Sequence, residues 1–194
     1  MIGALPTSLT VNGREWAIRT DYRIVLRTFE ALEDEELTQQ DKLQLMFKRM
    51  YVDFEKMPTS DYEEAYKKLF EFMECHDRKD DSGKPRLISW QKDEQMIFPA
   101  INAVAGCEVR ALEYMHWWTF LGYFENIDNE CVWSFVLSIR QKRANGKKLE
   151  KHEKEFFAKN RDLFDISKKK AETATSALED MFNSLLQEGG SEDG

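Results

Sequence analysis

The sequence predicts a mainly α-helical, bundle-like domain with a short β-hairpin at its N-terminus and an amphipathic helical arm at its C-terminus. Apolar residues recur at steps of three and four along much of the chain, which is the spacing of one helix face. Asn12-Gly13 separates two short runs near the N-terminus. This dipeptide is a strong hairpin signal, because a type I′ turn needs positive φ at both central residues. We therefore expect residues 1–165 to form the domain and residues 166–194 to form the arm with a disordered tail.

The predicted hairpin has a defined register. A two-residue loop places Val11 opposite Arg14 and Leu9 opposite Trp16. The apolar members of these pairs then share one face with Ile18. That face must pack on helices, because an isolated hairpin is marginally stable in water.

Three helices are predicted to follow the hairpin. Thr20 or Asp21 can cap the first, and Ser60 or Asp61 can cap the third, because their side-chain oxygens accept hydrogen bonds from free backbone N–H groups. A short acidic break at 33–40 precedes the second helix. The apolar positions of the three helices are Tyr22, Val25, Leu26, Phe29 and Leu32; Leu43, Leu45, Met46, Phe47 and Met50; and Tyr62, Ala65, Tyr66, Leu69, Phe70 and Met73.

The stretch from Asp93 to Phe124 is the most apolar and aromatic part of the chain, and we expect it to form the buried centre. Ser89 can cap its first helix, and Gly106 can end it, since glycine adopts the left-handed conformation without steric cost. Pro99 lies inside this helix and predicts a kink or a helix start. A second helix is predicted to begin near Leu112 and to be apolar around most of its circumference. Its apolar positions are Leu112, Met115, Trp118, Phe120, Leu121 and Phe124.

Two further helices and the arm complete the predicted fold. Asp128 can cap the first helix, and Asn145-Gly146 can end it. The second is expected to run from Leu149 to Phe164. The arm, from Lys168 to Gln187, carries an apolar stripe and is followed by a tail that we expect to be disordered. The stripe consists of Ala171, Ala174, Leu178, Met181, Phe182 and Leu185.

The composition narrows the class of protein. The chain has 194 residues, of which 42% are hydrophobic, and a net charge of −8, which is typical of a soluble protein that can fill a core. No apolar run approaches the roughly 20 residues that a membrane span needs, and no signal peptide is evident. Cys75, Cys107 and Cys131 show no CxxC spacing, so we expect reduced thiols in the cytoplasm. The polar stretch 75–86 contains Gly and Pro and is predicted to be an exposed, mobile loop.

The charge is unevenly distributed. Residues 140–170 contain 12 Lys/Arg and 5 Asp/Glu, a local charge of +7, while the remainder holds 16 Lys/Arg and 31 Asp/Glu, a charge of −15. Such asymmetry indicates either a nucleic-acid surface or a body whose oppositely charged parts attract each other. Because acids interleave with the bases and few aromatics are placed to stack on nucleobases, we expect a solvated face with i,i+4 ion pairs. We predict neither a nucleic-acid nor a membrane partner.

A metal site is one candidate for chemistry in this chain. Glu113 and His116 have the i,i+3 spacing that carboxylate-bridged di-iron bundles use. Such a site needs two of these pairs and two further glutamates, and the sequence offers one pair. A structural histidine, hydrogen-bonded beside Trp117 and Trp118, is therefore the favoured interpretation, and a metal-dependent enzyme centred on Glu113 and His116 is the alternative. Since no phosphate loop, GxSxG or HExxH is present, we expect no catalytic residue, no metal, no cofactor and no enzymatic activity.

Several segments resemble the phage gene-product-fifteen family, the tail proteins of siphophages and their prophages. The resemblance covers about residues 5–165, and His-Trp-Trp is its most specific element. The segments that carry it are Met96-Ile97-Phe98-Pro99-Ala100-Ile101-Asn102, Glu108-Val109-Arg110 and Tyr114-Met115-His116-Trp117-Trp118-Thr119-Phe120-Leu121, with Leu5-Pro6, Thr20-Asp21-Tyr22-Arg23, Phe135, Ile139-Arg140 and Gly146-Lys147-Lys148-Leu149 also similar.

The resemblance implies a role in phage tail assembly. Members of this family are encoded between the major tail proteins and the tape-measure protein, and by that position are taken to be tail assembly chaperones. It thus implies a chaperone of the host cytoplasm that holds the tape-measure protein, a long helical chain with exposed apolar stripes, without catalysis. The tail tube protein and a second copy of this chain are further candidate partners. The alternative is a structural tail component retained in the virion.

The composition suits such a role. Eight Met and 24 Phe, Trp and Tyr residues favour apolar surfaces that tolerate many partner sequences. We predict two groups of partner-binding residues, one in the His-Trp-Trp element and one on the arm. These residues are His116, Trp117, Trp118, Leu178, Met181, Phe182 and Leu185.

Overall fold

The computed structural model describes residues 3–34, 36–74 and 87–164. It confirms a mainly α-helical fold with a short N-terminal hairpin. The predicted loop at 75–86 and the predicted arm at 166–194 lie outside the described residues. The strands and helices are β1 (Ser8–Val11), β2 (Arg14–Ala17), α1 (Tyr22–Leu32), α2 (Gln39–Met50), α3 (Tyr62–Glu74), α4 (Trp90–Ala105), α5 (Trp117–Glu125), α6 (Val132–Ala144) and α7 (Lys151–Lys159).

The described residues divide into two compact units. Unit 1 contains residues 3–34, 36–74 and 114–118, and unit 2 contains residues 87–113 and 119–164. The apolar stretch that the sequence marks as one centre is therefore shared between the units. The predicted boundary between residues 165 and 166 lies beyond the described residues and stays a prediction.

The hairpin in unit 1 has the predicted register. Leu9 pairs with Trp16, and Val11 pairs with Arg14. The turn at Asn12-Gly13 has φ values of 46° and 80°, which are the positive angles that a type I′ turn requires. Val11 and Trp16 are both buried, so their shared face lies against the rest of the fold as predicted.

The chain after β2 continues as an extended ribbon, residues 18–21, which sequence periodicity did not predict. The Ile18 N–H donates to the Thr7 carbonyl at 2.9 Å, which extends the pairing of the hairpin. The Val52 N–H, just after α2, donates to the Ala17 carbonyl at 3.0 Å. The Arg19 N–H of the ribbon donates to the Met50 carbonyl at 2.7 Å, so the ribbon also lies against the end of α2.

Helices α1, α2 and α4 begin at Asp, Thr or Ser side-chain caps. Asp21 caps α1 and Ser89 caps α4, as predicted. Helix α2 begins at Thr38, whose hydroxyl forms a reciprocal capping box with Asp41. This cap lies inside the predicted break at 33–40 and was not predicted.

The predicted start of α3 needs a correction. A short 3₁₀ turn, Thr59–Asp61, precedes the helix and contains both residues that were expected to cap it. The Asp61 carboxylate instead accepts a hydrogen bond from the Asn12 amide at 2.9 Å. This long-range bond ties the hairpin turn to the start of α3.

Helix α4 ends where it was predicted to end. It begins before Pro99, where a helix start was one of the two expectations. Gly106 has φ of 70° and forms the left-handed cap after Ala105. The helix runs through Pro99 from Trp90, so a helix start at Pro99 is wrong.

The helix predicted from Leu112 is wrong in its start. Helix α5 begins at Trp117, and residues 112–116 are not helical. Leu112 is exposed rather than part of an apolar helix face. Periodicity alone therefore placed the helix start five residues too early.

Helix α6 begins at an unexpected cap. The Cys131 sulfur accepts the Ser134 N–H at 3.4 Å, whereas the Asp128 carboxylate accepts the Glu130 N–H at 2.8 Å. The prediction of Asp128 as the cap is wrong. At the other end, Asn145-Gly146 ends the helix as predicted.

The helix predicted from Leu149 to Phe164 is shorter than expected. Helix α7 ends at Lys159, and a 3₁₀ turn, Arg161–Phe164, follows it. The backbone N–H and the side-chain amide of Asn160 both donate to the Phe156 carbonyl, at 3.1 and 2.9 Å, where the helix ends. A single helix from Leu149 to Phe164 is therefore wrong.

Both units contain fully buried large side chains. A cluster in unit 2 is centred on Val136, Ile139 and Phe164. None of the helices in the described part of the chain has the length and hydropathy needed to span a membrane. The largest buried residues are Tyr22, Phe47, Met50, Tyr51, Leu69 and Trp117 in unit 1, and Ile97, Ile101, Phe120 and Ile139 in unit 2.

Candidate functional site

The His-Trp-Trp segment, Tyr114–Trp118, lies in unit 1, where an isolated antiparallel bridge pairs His116 with Asp21 of the ribbon. Residues 114–116 are non-helical and Trp117 begins α5. The Tyr22 N–H donates to the Met115 carbonyl at 3.0 Å, and the Trp117 N–H donates to the Thr20 carbonyl at 2.7 Å. These two bonds are an antiparallel pairing. The pairing explains why residues 114–116 are not helical despite their helical spacing.

Side chains at the start of α1 strengthen this attachment. The hydroxyls of Thr20 and Tyr114 lie 2.6 Å apart. The Asp21 carboxylate accepts the Met115 N–H at 3.4 Å, in addition to capping α1. Thr20 therefore anchors the segment, although the sequence suggested it as a helix cap.

His116 connects three parts of unit 1. Its Nδ1 accepts the Trp118 N–H at 3.1 Å, so His116 caps the start of α5. Its proton then lies on Nε2, which donates to the Pro6 carbonyl at 2.9 Å. His116 is 3% exposed. His116 is thus a buried structural histidine beside the two tryptophans, as the favoured interpretation stated.

The two tryptophans bind the C-terminal end of α3. The indole N–H of Trp117 donates to the Met73 carbonyl at 2.8 Å, and that of Trp118 donates to the Phe72 carbonyl at 2.9 Å. The last carbonyls of a helix have no partner within the helix. The tryptophans supply such partners from a segment more than 40 residues away in sequence.

The structure does not place Glu113 and His116 on one helix face. Residues 112–116 are non-helical, so the i,i+3 spacing loses the geometry that a di-iron bundle uses. Both His116 ring nitrogens have protein partners, and Glu113 is exposed. Within residues 3–34, 36–74 and 87–164, no group of three or more His, Cys, Asp and Glu could hold a metal ion.

The predicted partner-binding residues have unequal surroundings. His116 and Trp117 are buried, and Trp118 is half-buried. The four residues on the arm lie outside the described part of the chain. Partner binding by either group stays a prediction. The arm residues are Leu178, Met181, Phe182 and Leu185.

Two exposed apolar residues, one at the start of the His-Trp-Trp segment and one next to its partner Pro6, were not predicted to bind a partner. Tyr114 is 55% exposed, although its hydroxyl is held by Thr20. Leu5 is 46% exposed and precedes Pro6, whose carbonyl binds His116. The buried residues of the segment therefore position exposed neighbours. The sequence offered one indication of these two residues, because both lie in segments that carry the family resemblance, Leu5-Pro6 and Tyr114–Leu121.

A second group of residues from the segments that carry the family resemblance forms a hydrogen-bonded cluster in unit 2, which we call the polar lock. The Asn102 amide donates to the Glu108 carboxylate at 2.8 Å, and its oxygen accepts the Val109 N–H at 2.9 Å. Arg110 donates two hydrogen bonds to the same carboxylate at 2.8 and 2.9 Å. The Arg110 guanidinium lies 5.0 Å from the centre of the Phe98 ring. The lock fixes the turn after α4.

The electrostatics of the lock favour the ionised acid. Hydrogen bonds from the Arg110 side chain and backbone N–H lower the pKa of Glu108 to about 2. The Asn102 amide contributes in the same direction. The carboxylate is thus a charged structural acceptor, a role unlike that of a general acid.

Arg140 forms a buried ion pair in unit 2. Its two terminal nitrogens each lie 2.7 Å from an oxygen of Asp93. It also donates to the Leu87 carbonyl at 2.9 Å and to the Leu163 carbonyl. The side chains of Arg140 and Asp93 are 5% and 1% exposed. The pair therefore links α6, the start of α4 and the 3₁₀ turn after α7.

Comparison with known proteins identifies one family. The family described as Bacteriophage Gp15 protein matches residues 1–166. No curated protein and no solved structure matches the chain. The matched region includes the His-Trp-Trp segment, the polar lock and the buried ion pair.

Proposed function

Because this chain belongs to the bacteriophage Gp15 family, we propose that it is a phage tail assembly chaperone that holds the tape-measure protein without catalysis. The observation that carries the proposal is the match across residues 1–166. The associated role is to hold a long apolar helical chain in the host cytoplasm before the tube forms. Mass action then suffices for holding, since a bound partner is stabilised without any chemical step.

The proposed docking residues are Tyr114, the exposed first residue of the His-Trp-Trp segment, and the exposed Leu5. Tyr114 presents a large ring whose hydroxyl is already fixed by Thr20. Leu5 precedes Pro6, whose carbonyl accepts a hydrogen bond from His116. A held aromatic loses little conformational freedom on binding, so it is an effective anchor. His116, Trp117 and Trp118 then support partner binding by positioning these two residues.

Co-purification with the tape-measure protein of the same phage tests this proposal. Tyr114→Asp combined with Leu5→Asp should reduce retention of the tape-measure protein by about tenfold or more, because anchors dominate binding energy. Val52→Asp controls for a charge introduced at an exposed apolar residue elsewhere in unit 1, since Val52 is 47% exposed. Circular dichroism verifies that each variant is folded.

Two results would contradict the proposal. The wild-type chain would fail to retain the tape-measure protein, or Val52→Asp would lose retention as strongly as the Tyr114 and Leu5 changes. The predicted arm site is tested in the same assay with Phe182→Asp. Retention that depends on Phe182 alone would move the docking surface from unit 1 to the arm.

Mass spectrometry of mature particles separates the chaperone from the structural alternative. A chaperone acts before the tail is complete, so purified virions should lack this chain. Its presence in fixed stoichiometry with tail tube subunits would instead assign it as a retained tail component.

A further inference from the structure

Tyr114 is an exposed aromatic residue whose side chain is held at both ends. Its hydroxyl lies 2.6 Å from the hydroxyl of Thr20, which is 6% exposed. At the backbone end, the carbonyl of the next residue, Met115, accepts the Tyr22 N–H at 3.0 Å. The Met115 N–H donates to the Asp21 carboxylate at 3.4 Å. The exposed part of the Tyr114 side chain is therefore kept in place by groups on either side of it.

The hydroxyl contact limits how Tyr114 can recognise a partner. A tyrosine offers a partner its apolar ring and its polar hydroxyl. The Tyr114 hydroxyl lies against a buried residue and is already hydrogen-bonded, so the ring supplies most of the exposed area. The surface offered at this position is thus an apolar ring in a fixed orientation.

We infer that Thr20 is a positioning residue for partner binding, and that the partner contacts the Tyr114 ring with apolar side chains. This inference rests on the proposed function and defines the contact that the tape-measure protein makes there, an aliphatic, methionine or aromatic side chain packed on the ring. A ring that is already oriented loses less rotational freedom when a partner packs on it. The Thr20 hydroxyl therefore strengthens binding without touching the partner. The competing interpretation is that the Tyr114 hydroxyl itself bonds to the partner.

A double-mutant cycle on the two hydroxyls tests the inference. Thr20→Val replaces the hydroxyl with a methyl group of similar size and keeps the Thr20 backbone carbonyl, which accepts the Trp117 N–H at 2.7 Å. The Tyr114 hydroxyl then lacks its partner and turns towards water, which releases the ring. Tyr114→Phe removes the other hydroxyl and releases the ring in the same way. Each change should raise the dissociation constant for the tape-measure protein by about two- to tenfold.

The effects of the two substitutions should not be additive. Because both break the same contact, the double variant should bind as weakly as either single variant, whereas the effects of independent contacts would multiply. Thr20→Ser keeps the hydroxyl and should bind like the wild type. Thr28→Val is the matched control, since Thr28 is a buried threonine of α1 whose hydroxyl donates to the Ile24 carbonyl at 2.8 Å. It should leave the dissociation constant unchanged, and thermal melts compare the stability of all variants.

Several results would overturn the inference. Weaker binding in Tyr114→Phe but not in Thr20→Val, or multiplied effects in the double variant, would show that the Tyr114 hydroxyl bonds to the partner directly. Equal weakening by Thr28→Val would assign the effect to fold stability. Unchanged binding in both single variants, with binding still lost in Tyr114→Asp combined with Leu5→Asp, would remove the role of Thr20 and leave the proposed function intact. A wild-type chain that does not bind the tape-measure protein would overturn both.

Discussion

At the scale of single residues, Trp117 and Trp118 have different roles despite their adjacency. Trp117 is 1% exposed, whereas Trp118 is half-buried. Both indoles donate to carbonyls at the end of α3. The spacing of apolar residues predicted that Trp118 lies in the core, because Trp118 continued a helical stripe that began at Leu112. Helix α5 begins at Trp117, so Leu112 and Met115 do not lie on the same helix as Trp118 and do not form a stripe with it.

The two tryptophans should differ in their contribution to stability. Trp117→Ala should lower the free energy of unfolding by about 3–5 kcal/mol, as large-to-small changes in a core do. Trp118→Ala should cost less, because part of its ring already contacts solvent. Trp117→Phe keeps an aromatic ring but leaves the Met73 carbonyl without its donor, at a cost of about 1–3 kcal/mol. Denaturant melts measure all three, and equal losses for both alanine variants would contradict the assignment.

Glu108 should make stability depend on pH in the acid range. Its pKa is lowered from 4.5 to about 2 in the folded chain. A lowered pKa means that the stabilisation is present above pH 4.5 and is lost as the pH falls toward about 2. The bond from Lys142 lowers the pKa of Glu153 and acts in the same direction. Glu108→Gln should therefore be less stable than wild type at neutral pH and lose less stability on acidification, as thermal melts at several pH values would measure.

At the scale of elements, local interactions were predictable and long-range ones were not. The hairpin turn, the Asp21 and Ser89 caps and the Gly106 end all follow from groups within a few residues of one another. The extended form of residues 114–116 depends on pairing with a ribbon that is 94 residues away. No periodicity in the sequence carries that information.

Two further errors have local physical causes. Sulfur is a weaker acceptor than a carboxylate oxygen, so residue type favoured Asp128 over Cys131 as the cap of α6. Asn160 follows α7, and its side-chain amide and backbone N–H both donate to the Phe156 carbonyl. The sequence did not indicate that the helix ends before Asn160, because Leu163 and Phe164 continue the apolar spacing beyond it.

The buried ion pair of Arg140 and Asp93 should be costly to break. Arg140→Met or Asp93→Leu alone leaves one uncompensated buried charge, so each should lower the free energy of unfolding by about 3–5 kcal/mol. The double variant removes both charges and should cost less than the sum of the two single changes. A double-mutant cycle in denaturant melts measures the coupling. Additive losses would show that the two side chains stabilise the fold independently.

At the scale of the whole molecule, the sequence identified the important stretch but not how it is shared. The segment around His116 was expected to be central, and His116 was expected to be structural. The sequence could not show that Tyr114–Trp118 belongs to unit 1 while the flanking residues belong to unit 2. Its attachment to the ribbon and to the end of α3 arises from side chains and carbonyls that are distant in sequence. The exposed neighbours Leu5 and Tyr114 follow from that attachment.

Two truncations should separate the domain from the predicted arm. Phe164 packs with Val136 and Ile139, and the carbonyl of Leu163 accepts from Arg140. The family match ends at residue 166. Truncation after Ser167 keeps all of these groups and should leave the melting temperature nearly unchanged, while weakening retention of the tape-measure protein or self-association.

Truncation after Asn160 removes the 3₁₀ turn, so it should destabilise unit 2 by about 3–5 kcal/mol, the cost of losing a large core side chain. Thermal melts and co-purification of both truncated chains measure these effects. Unfolding after the first truncation would instead place the apolar stripe of the arm in the core, since burial of each such side chain supplies roughly 1.5–3 kcal/mol. An unchanged melting temperature after the second truncation would show that Phe164 contributes little to the core of unit 2.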